Sequence, residues 1–162
     1  MNTLLPAPLN ENVLLVTDAM NNDIIQSIHK LFPVAVLQTK EYAKRFKGKN
    51  AMQTARNVWD FEKSKIKYKR DPNVKQMIRL PNRFVHDADG DCKSYALFAA
   101  SILANLGYPV WFRYAGYRNG SDTPTHVYCV TADEKGKEII VDGVYRSFNQ
   151  EKPYEFKKDY KM

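Results

Sequence analysis

The sequence predicts an α+β domain, with helices in the N-terminal half and an antiparallel sheet after them. Three observations carry that expectation. Apolar residues recur at three-to-four spacing in the N-terminal half, and from Val110 they alternate with period two. Between these regimes lies an almost unbroken apolar run, Cys92 to Leu106, which reads as a helix buried at the centre of the fold. With 162 residues, 44% apolar and 12% aromatic, the chain can bury one core, and low-complexity, collagen-like and disordered classes are excluded.

The elements follow in chain order. Residues 1–20, with Pro6 and Pro8, read as an extended N-terminal arm. A helix is expected over Asn22–Leu31, with Ile24, Ile25, Ile28 and Leu31 on one face and Pro33 as its stop. A short helix is expected from Thr39, capped by that hydroxyl and closed at Gly48. Asn50 and Gln53 have capping-box spacing and open another helix, whose apolar face is Ala51, Met52, Ala55, Val58 and Trp59. Ile66–Arg70 alternates and meets Asp71-Pro72, a short strand and a turn. Asp87 to Asp91 is a polar loop ending on an N-cap residue; Cys92 begins the central helix, and Gly107 with Pro109 ends it. Strands are expected over about 110–117, 125–131 and 137–142, packed on the helix of about 92–106. Residues 50–150 then form the core of a single domain spanning 1–162, and 151–162 its C-terminal tail.

Charge is unevenly spread. The net charge is +7, and the excess lies between Lys40 and Arg83, which carry +10 against −2 before them and −1 after. That segment is expected to be a docking surface for an acidic partner or an anionic envelope polymer. Nucleic acid is not expected, because no recognition motif accompanies the charge. No apolar run reaches the roughly 18 residues of a membrane span, and the start lacks the basic segment and cleavage site of a signal peptide. A cytoplasmic location is the expectation. Two cysteines make no disulfide framework, and neither has further ligands at zinc spacing, so no metal or cofactor is expected.

Hairpin arithmetic gives the sharpest inference about chemistry. Opposed residues in an antiparallel pair have a constant sum: near 269 for a turn centred on Glu134-Lys135, and 268 for one centred on Glu134. His126 then lies beside Asp142 or its neighbour, and at 268 the two are directly opposed, with Cβ atoms roughly 4.5–5.5 Å apart. Period two turns Cys129 to the other face, which leaves Cys92 as the thiol able to meet the pair. A thiol with pKa near 8.5 is mostly protonated at neutral pH, and a helix N-terminus or a nearby imidazolium stabilises the reactive thiolate. A carboxylate fixes the imidazole tautomer and supports its charge. The Cys92 N–H, in the first helical turn, is placed to donate to an oxyanion; Gln76, Tyr68 and His86 are candidates for a second donor.

Several segments carry a resemblance. Gly90-Asp-Cys-Lys-Ser-Tyr-Ala96, Leu103-Ala-Asn-Leu-Gly-Tyr-Pro109, Arg113 with Gly116-Tyr117, Thr125-His126-Val127 and Val141-Asp142 resemble the transglutaminase-like superfamily of papain-like cysteine hydrolases. The likeness covers about residues 50–150 and is nearest to small proteins of Bacteroidetes and their phages. It implies Cys92 as nucleophile, His126 as base and Asp142 as orienter, without a cofactor or metal. Two departures bear on substrate preference: Lys93-Ser94 stands where those relatives often carry acidic residues, and Gly143-Val144 follows the aspartate in place of a proline.

The expected function is a cysteine-dependent hydrolase or acyltransferase acting on an amide bond through an acyl-thioester. Its substrate would be a peptide, a protein or a peptidoglycan stem. The rivals are a papain-like cell-wall endopeptidase and a non-enzymatic phage assembly protein on the same fold. In a phage setting the chain would be virion-associated, docking through the basic 40–83 segment.

Overall fold

The computed structural model describes residues 4–8, 13–17, 21–72, 75–120 and 122–162. The elements are β1 (Val13–Thr17), α1 (Asn21–Thr39), a 3-10 turn (Tyr42–Phe46), α2 (Ala51–Lys65), β2 (Lys67–Tyr68), β3 (Lys75–Arg79), α3 (Pro81–Asp87), β4 (Asp89–Gly90), α4 (Cys92–Asn105), β5 (Val110–Gly116), β6 (His126–Ala132), β7 (Glu138–Val141) and β8 (Phe156–Lys161). Helices precede an antiparallel sheet, as the change of period requires.

α4 is the axis of the molecule. Asp91 caps it, its Oδ1 accepting from the Lys93 N–H at 3.1 Å, and every residue from Lys93 to Leu103 is buried. Such a helix has no solvent face because α1, α2, β5 and β6 pack around it. Each large apolar side chain sealed there contributes about 1.5–3 kcal/mol. Gly107 ends it at φ 86°, a left-handed position that suits glycine.

The four-stranded sheet runs β7-β6-β5-β8. Residues 151–162 are therefore more than a tail, since β8 pairs with β5 from Trp111 opposite Lys161 to Gly116 opposite Phe156. The β6–β7 register differs from the expected one: Cys129 opposes Val141 and Val130 opposes Ile140, so opposed residues sum to 270. The cause is a longer turn. Asp133 pairs with Lys137 across three residues, its Oδ1 accepting from the Lys135 and Lys137 N–H groups, and Gly136 takes φ 79°. His126 and Asp142 are thus diagonal neighbours on one face.

Helix boundaries moved as well. α1 does not stop at Pro33 but runs through it to Thr39. An interior proline costs about 3 kcal/mol. Here the turns on both sides are anchored: Ile25, Ile28, Ala35 and Thr39 are buried, and Asn105 Nδ2 donates to the Val36 carbonyl at 2.8 Å and to Thr39 Oγ1 at 2.9 Å. Thr39 consequently ends α1 and donates back to the Ala35 carbonyl at 2.9 Å; it does not cap a new helix. α2 starts as expected, Asn50 Oδ1 accepting from the Gln53 N–H at 2.8 Å, although Met52 faces solvent. Asp87 closes the short helix α3, Ala88 caps it, and Asp89–Gly90 form a parallel bridge to β2. Within the expected arm, residues 13–17 pair antiparallel with β3, while 1–3, 9–12 and 18–20 lie outside the described residues.

Candidate active site

Three elements bring Cys92, His126 and Asp142 together. Cys92 is the first residue of α4 and half-buried; its N–H meets no acceptor among the described residues. His126 opens β6, and Asp142 follows β7. The imidazole Nε2 lies 2.7 Å from Asp142 Oδ2, and the Cys92 side chain is near enough to favour the ring's proton. With Nε2 held by the carboxylate, Nδ1 is the nitrogen left for the sulfur.

Asp142 is itself tied down. Its Oδ1 accepts from the Val144 N–H at 3.0 Å, and its backbone carbonyl accepts from Trp59 Nε1 at 2.9 Å. Gly143 is needed beside it, because a Cβ there would stand 2.8 Å from Tyr95 Cδ1 and run into the Glu62 carboxyl. Burial alone would lower the His126 pKa, but the Asp142 hydrogen bond and the nearby Cys92 side chain overturn that and carry it up to about 10. The imidazole therefore keeps its proton at neutral pH.

Cys92 and His126 open on a cavity of about 330 Å³. Ile24, Ile25, Pro124 and Val127 give it apolar walls, and Tyr68 and Arg70 line it as polar groups. Tyr68 survives from the three candidate second donors. Gln76 also lines the cavity, but its Oε1 accepts from Lys93 Nζ and its Nε2 donates to the Pro72 carbonyl, each at 2.7 Å. His86 is exposed beside Asp87, away from the cavity. Burial, with the charge of Cys92 next, pushes the Tyr68 phenol up to about 12, so it stays a neutral donor. Of the aromatic strand, Tyr114 faces the cavity.

Sequence reasoning missed the charge cluster beside the nucleophile. Lys93 is buried, pairs with Asp91, lies 3.6 Å from Asp71 Oδ2 and reaches Gln76. Burial raises the Asp91 carboxyl to about 6, against the pull of Lys93. The Lys93 ammonium fills this set of oxygens, and no cluster of acidic, histidine or cysteine side chains among the described residues is arranged to hold a metal ion. Cys129 lies apart: fully buried, its thiol pushed well up by that burial.

Comparisons with known proteins bear on the family and the fold. A family model described as a transglutaminase-like domain matches residues 37–145. No curated protein matches the sequence. A candidate protease from Parabacteroides distasonis superposes with a TM-score of 0.60 at 12% identity, over 78% of this chain and 26% of its own. The chain thus spans about a quarter of that protein's length. Legionella pneumophila LapG, in its calcium-bound form, superposes with a TM-score of 0.50 at 18% identity, over 76% of this chain and 75% of LapG. At such identities the likeness is one of fold.

Proposed function

The chain belongs to the transglutaminase-like domain family, and from that premise we propose that it is an enzyme cutting or transferring amide-linked acyl groups through a thioester on Cys92. One observation carries the reading: the His126 imidazole, held through Nε2 by Asp142 at 2.7 Å, lines one cavity with a cysteine at a helix start.

The steps follow from the positions. The Cys92 sulfur attacks the amide carbonyl carbon, and the charge moves to the carbonyl oxygen. The Cys92 N–H and the Tyr68 hydroxyl are the donors available to that oxygen. Collapse breaks the C–N bond, and the leaving nitrogen takes the His126 proton. Water then attacks the thioester carbon as His126 accepts its proton, and the sulfur leaves. A primary amine in place of water forms a new amide. Hydrolysis of a peptide or a peptidoglycan stem is the favoured outcome, because the cavity is open to water at the exposed Tyr68 and Arg70.

Iodoacetamide alkylation, followed residue by residue with mass spectrometry, tests the nucleophile. Cys92 should react at least tenfold faster than Cys129, and His126→Gln should remove most of that advantage. Equal reactivity of the two thiols in the native chain would refute the reading. Casein, a dansylated amine and peptidoglycan, with Cys92→Ala as control, then separate the substrate classes.

A further inference from the structure

Of the two lysine and arginine side chains that line the cavity among the described residues, one is engaged, as are two arginines near it. Lys93 is buried among Asp71, Asp91 and Gln76; Arg79 pairs with Asp87 and Asp89, and Arg83 with Asp87. Arg70 is different. It lines the cavity that holds Cys92 and His126, it is exposed, and no carboxylate among the described residues pairs with it. It does not serve to balance the adjacent acids either: Asp71 Oδ2 accepts from the Met77 N–H at 2.8 Å and faces Lys93.

Backbone register fixes where Arg70 stands. β2 runs parallel to β4 with Tyr68 opposite Gly90, and the Lys69 N–H donates to the Gly90 carbonyl at 2.8 Å. Arg70 follows one residue on and lines the cavity that holds Cys92. Across the cavity, the rim of Thr123, Pro124 and Thr125 is uncharged, and Ile24 and Ile25 are apolar. The acids that line the same cavity, Asp71 and Asp91, are held by Lys93, which leaves Arg70 as the unpaired cation of the lining among the described residues.

We propose that Arg70 is the carboxylate-binding residue of this cleft, so that the substrate carries an acidic group next to the scissile amide. This rests on Cys92 being the nucleophile. The guanidinium presents paired N–H donors in the geometry a carboxylate accepts, which a lysine cannot match. Lys67 and Lys75, exposed on the same stretch, extend the positive field around it, while Lys69 lies 3.9 Å from Asp89 Oδ2. Because Arg70 is open to water, its discrimination should be on the order of tenfold at low salt and should shrink as salt is added.

Iodoacetate and iodoacetamide differ by a carboxylate against its neutral amide, and both report on Cys92 directly. In the full chain the ratio of their alkylation rates at Cys92 should fall about tenfold in Arg70→Gln and further in Arg70→Glu, with Arg70→Lys between. Lys49→Gln, an exposed site off the cavity, should leave it unchanged. A ratio in Arg70→Gln within twofold of wild type overturns the proposal. Among peptides of a proteome digest that the wild type processes, acidic residues should be enriched within two positions of the reacting amide and not so for Arg70→Gln; a wild type indifferent to charge also overturns it. Failure of the nucleophile reading is separately visible, as equal iodoacetamide reactivity of Cys92 and Cys129.

Discussion

Burial by itself would drive the proton off His126, and the Asp142 hydrogen bond with the nearby Cys92 side chain holds it on with a pKa of about 10. A folded-state pKa raised above 6.5 gives stability that is fully present below 6.5 and lost as pH rises through about 10. Asp142→Asn keeps the shape of the partner and removes its charge. The His126 titration, read by NMR of the ring proton, should then move from about 10 toward 6.5 or below, since burial acts with less opposition. Turnover should drop by roughly 10²–10⁴-fold, the usual scale for disabling an acid–base group. An unmoved titration would mean that Asp142 only positions the ring. The three residues were legible because a helix cap, a strand start and a strand end each have a local signature. The Lys93–Asp71 contact was not, since an ion pair between a helix's first turn and a distant loop leaves no periodic trace.

Whole elements are held by contacts of the same non-local kind. The fully buried Arg113 side chain on β5 reaches Glu138 on β7 at 2.9 Å, Glu151 at 3.2 Å and Asp159 on β8 at 2.8 Å. Tyr128 on β6 also donates to Glu151, so one guanidinium ties the edge strand β8 to the rest of the sheet. Arg113→Met should cost about 2–3 kcal/mol, less than a fully buried pair, because all three carboxylates keep some access to water. Hydrogen exchange should localise the loss: amides of 156–161 should exchange faster while those of β6 change little. Uniform acceleration would mean that Arg113 supports the core as a whole. Period and caps made α2, α4 and strands β5 to β7 legible. β8 was not, because Lys157, Lys158 and Asp159 leave too little apolar alternation, and its place is set by partners on three other segments. Pro33 misled for a related reason, since Asn105 and buried Ala35 hold the far side of the helix.

At the scale of the molecule, a few titratable groups decide how stability answers to pH. Glu62 is fully buried, neither carboxyl oxygen has a hydrogen-bond partner among the described residues, and burial, then the Asp142 charge, raise its pKa well above 4.5. Its contribution is therefore fully present below 4.5 and lost as pH rises toward the folded-state value. His126 acts in the same direction at higher pH. Asp87 and Asp159 act in the other: burial would raise them, but His86, Arg79 and Arg83 for the first, and Arg113 and Lys157 for the second, lower them below 3.8. Their contributions are present above 3.8 and lost as pH falls through the depressed values. The two pairs together are all at full strength between 3.8, the ordinary aspartate value, and 4.5, that of Glu62, with a decline toward alkaline pH. Glu62→Met keeps the length of the side chain and removes the titrating group from a site where ionisation has no compensation. Urea unfolding between pH 4.5 and 9 should show the variant gaining on wild type as pH rises, by up to about 1.4 kcal/mol per unit until the folded-state pKa is passed. A gap that stays constant with pH would show that Glu62 ionises alike in the folded and unfolded chain, and that burial does not raise its pKa.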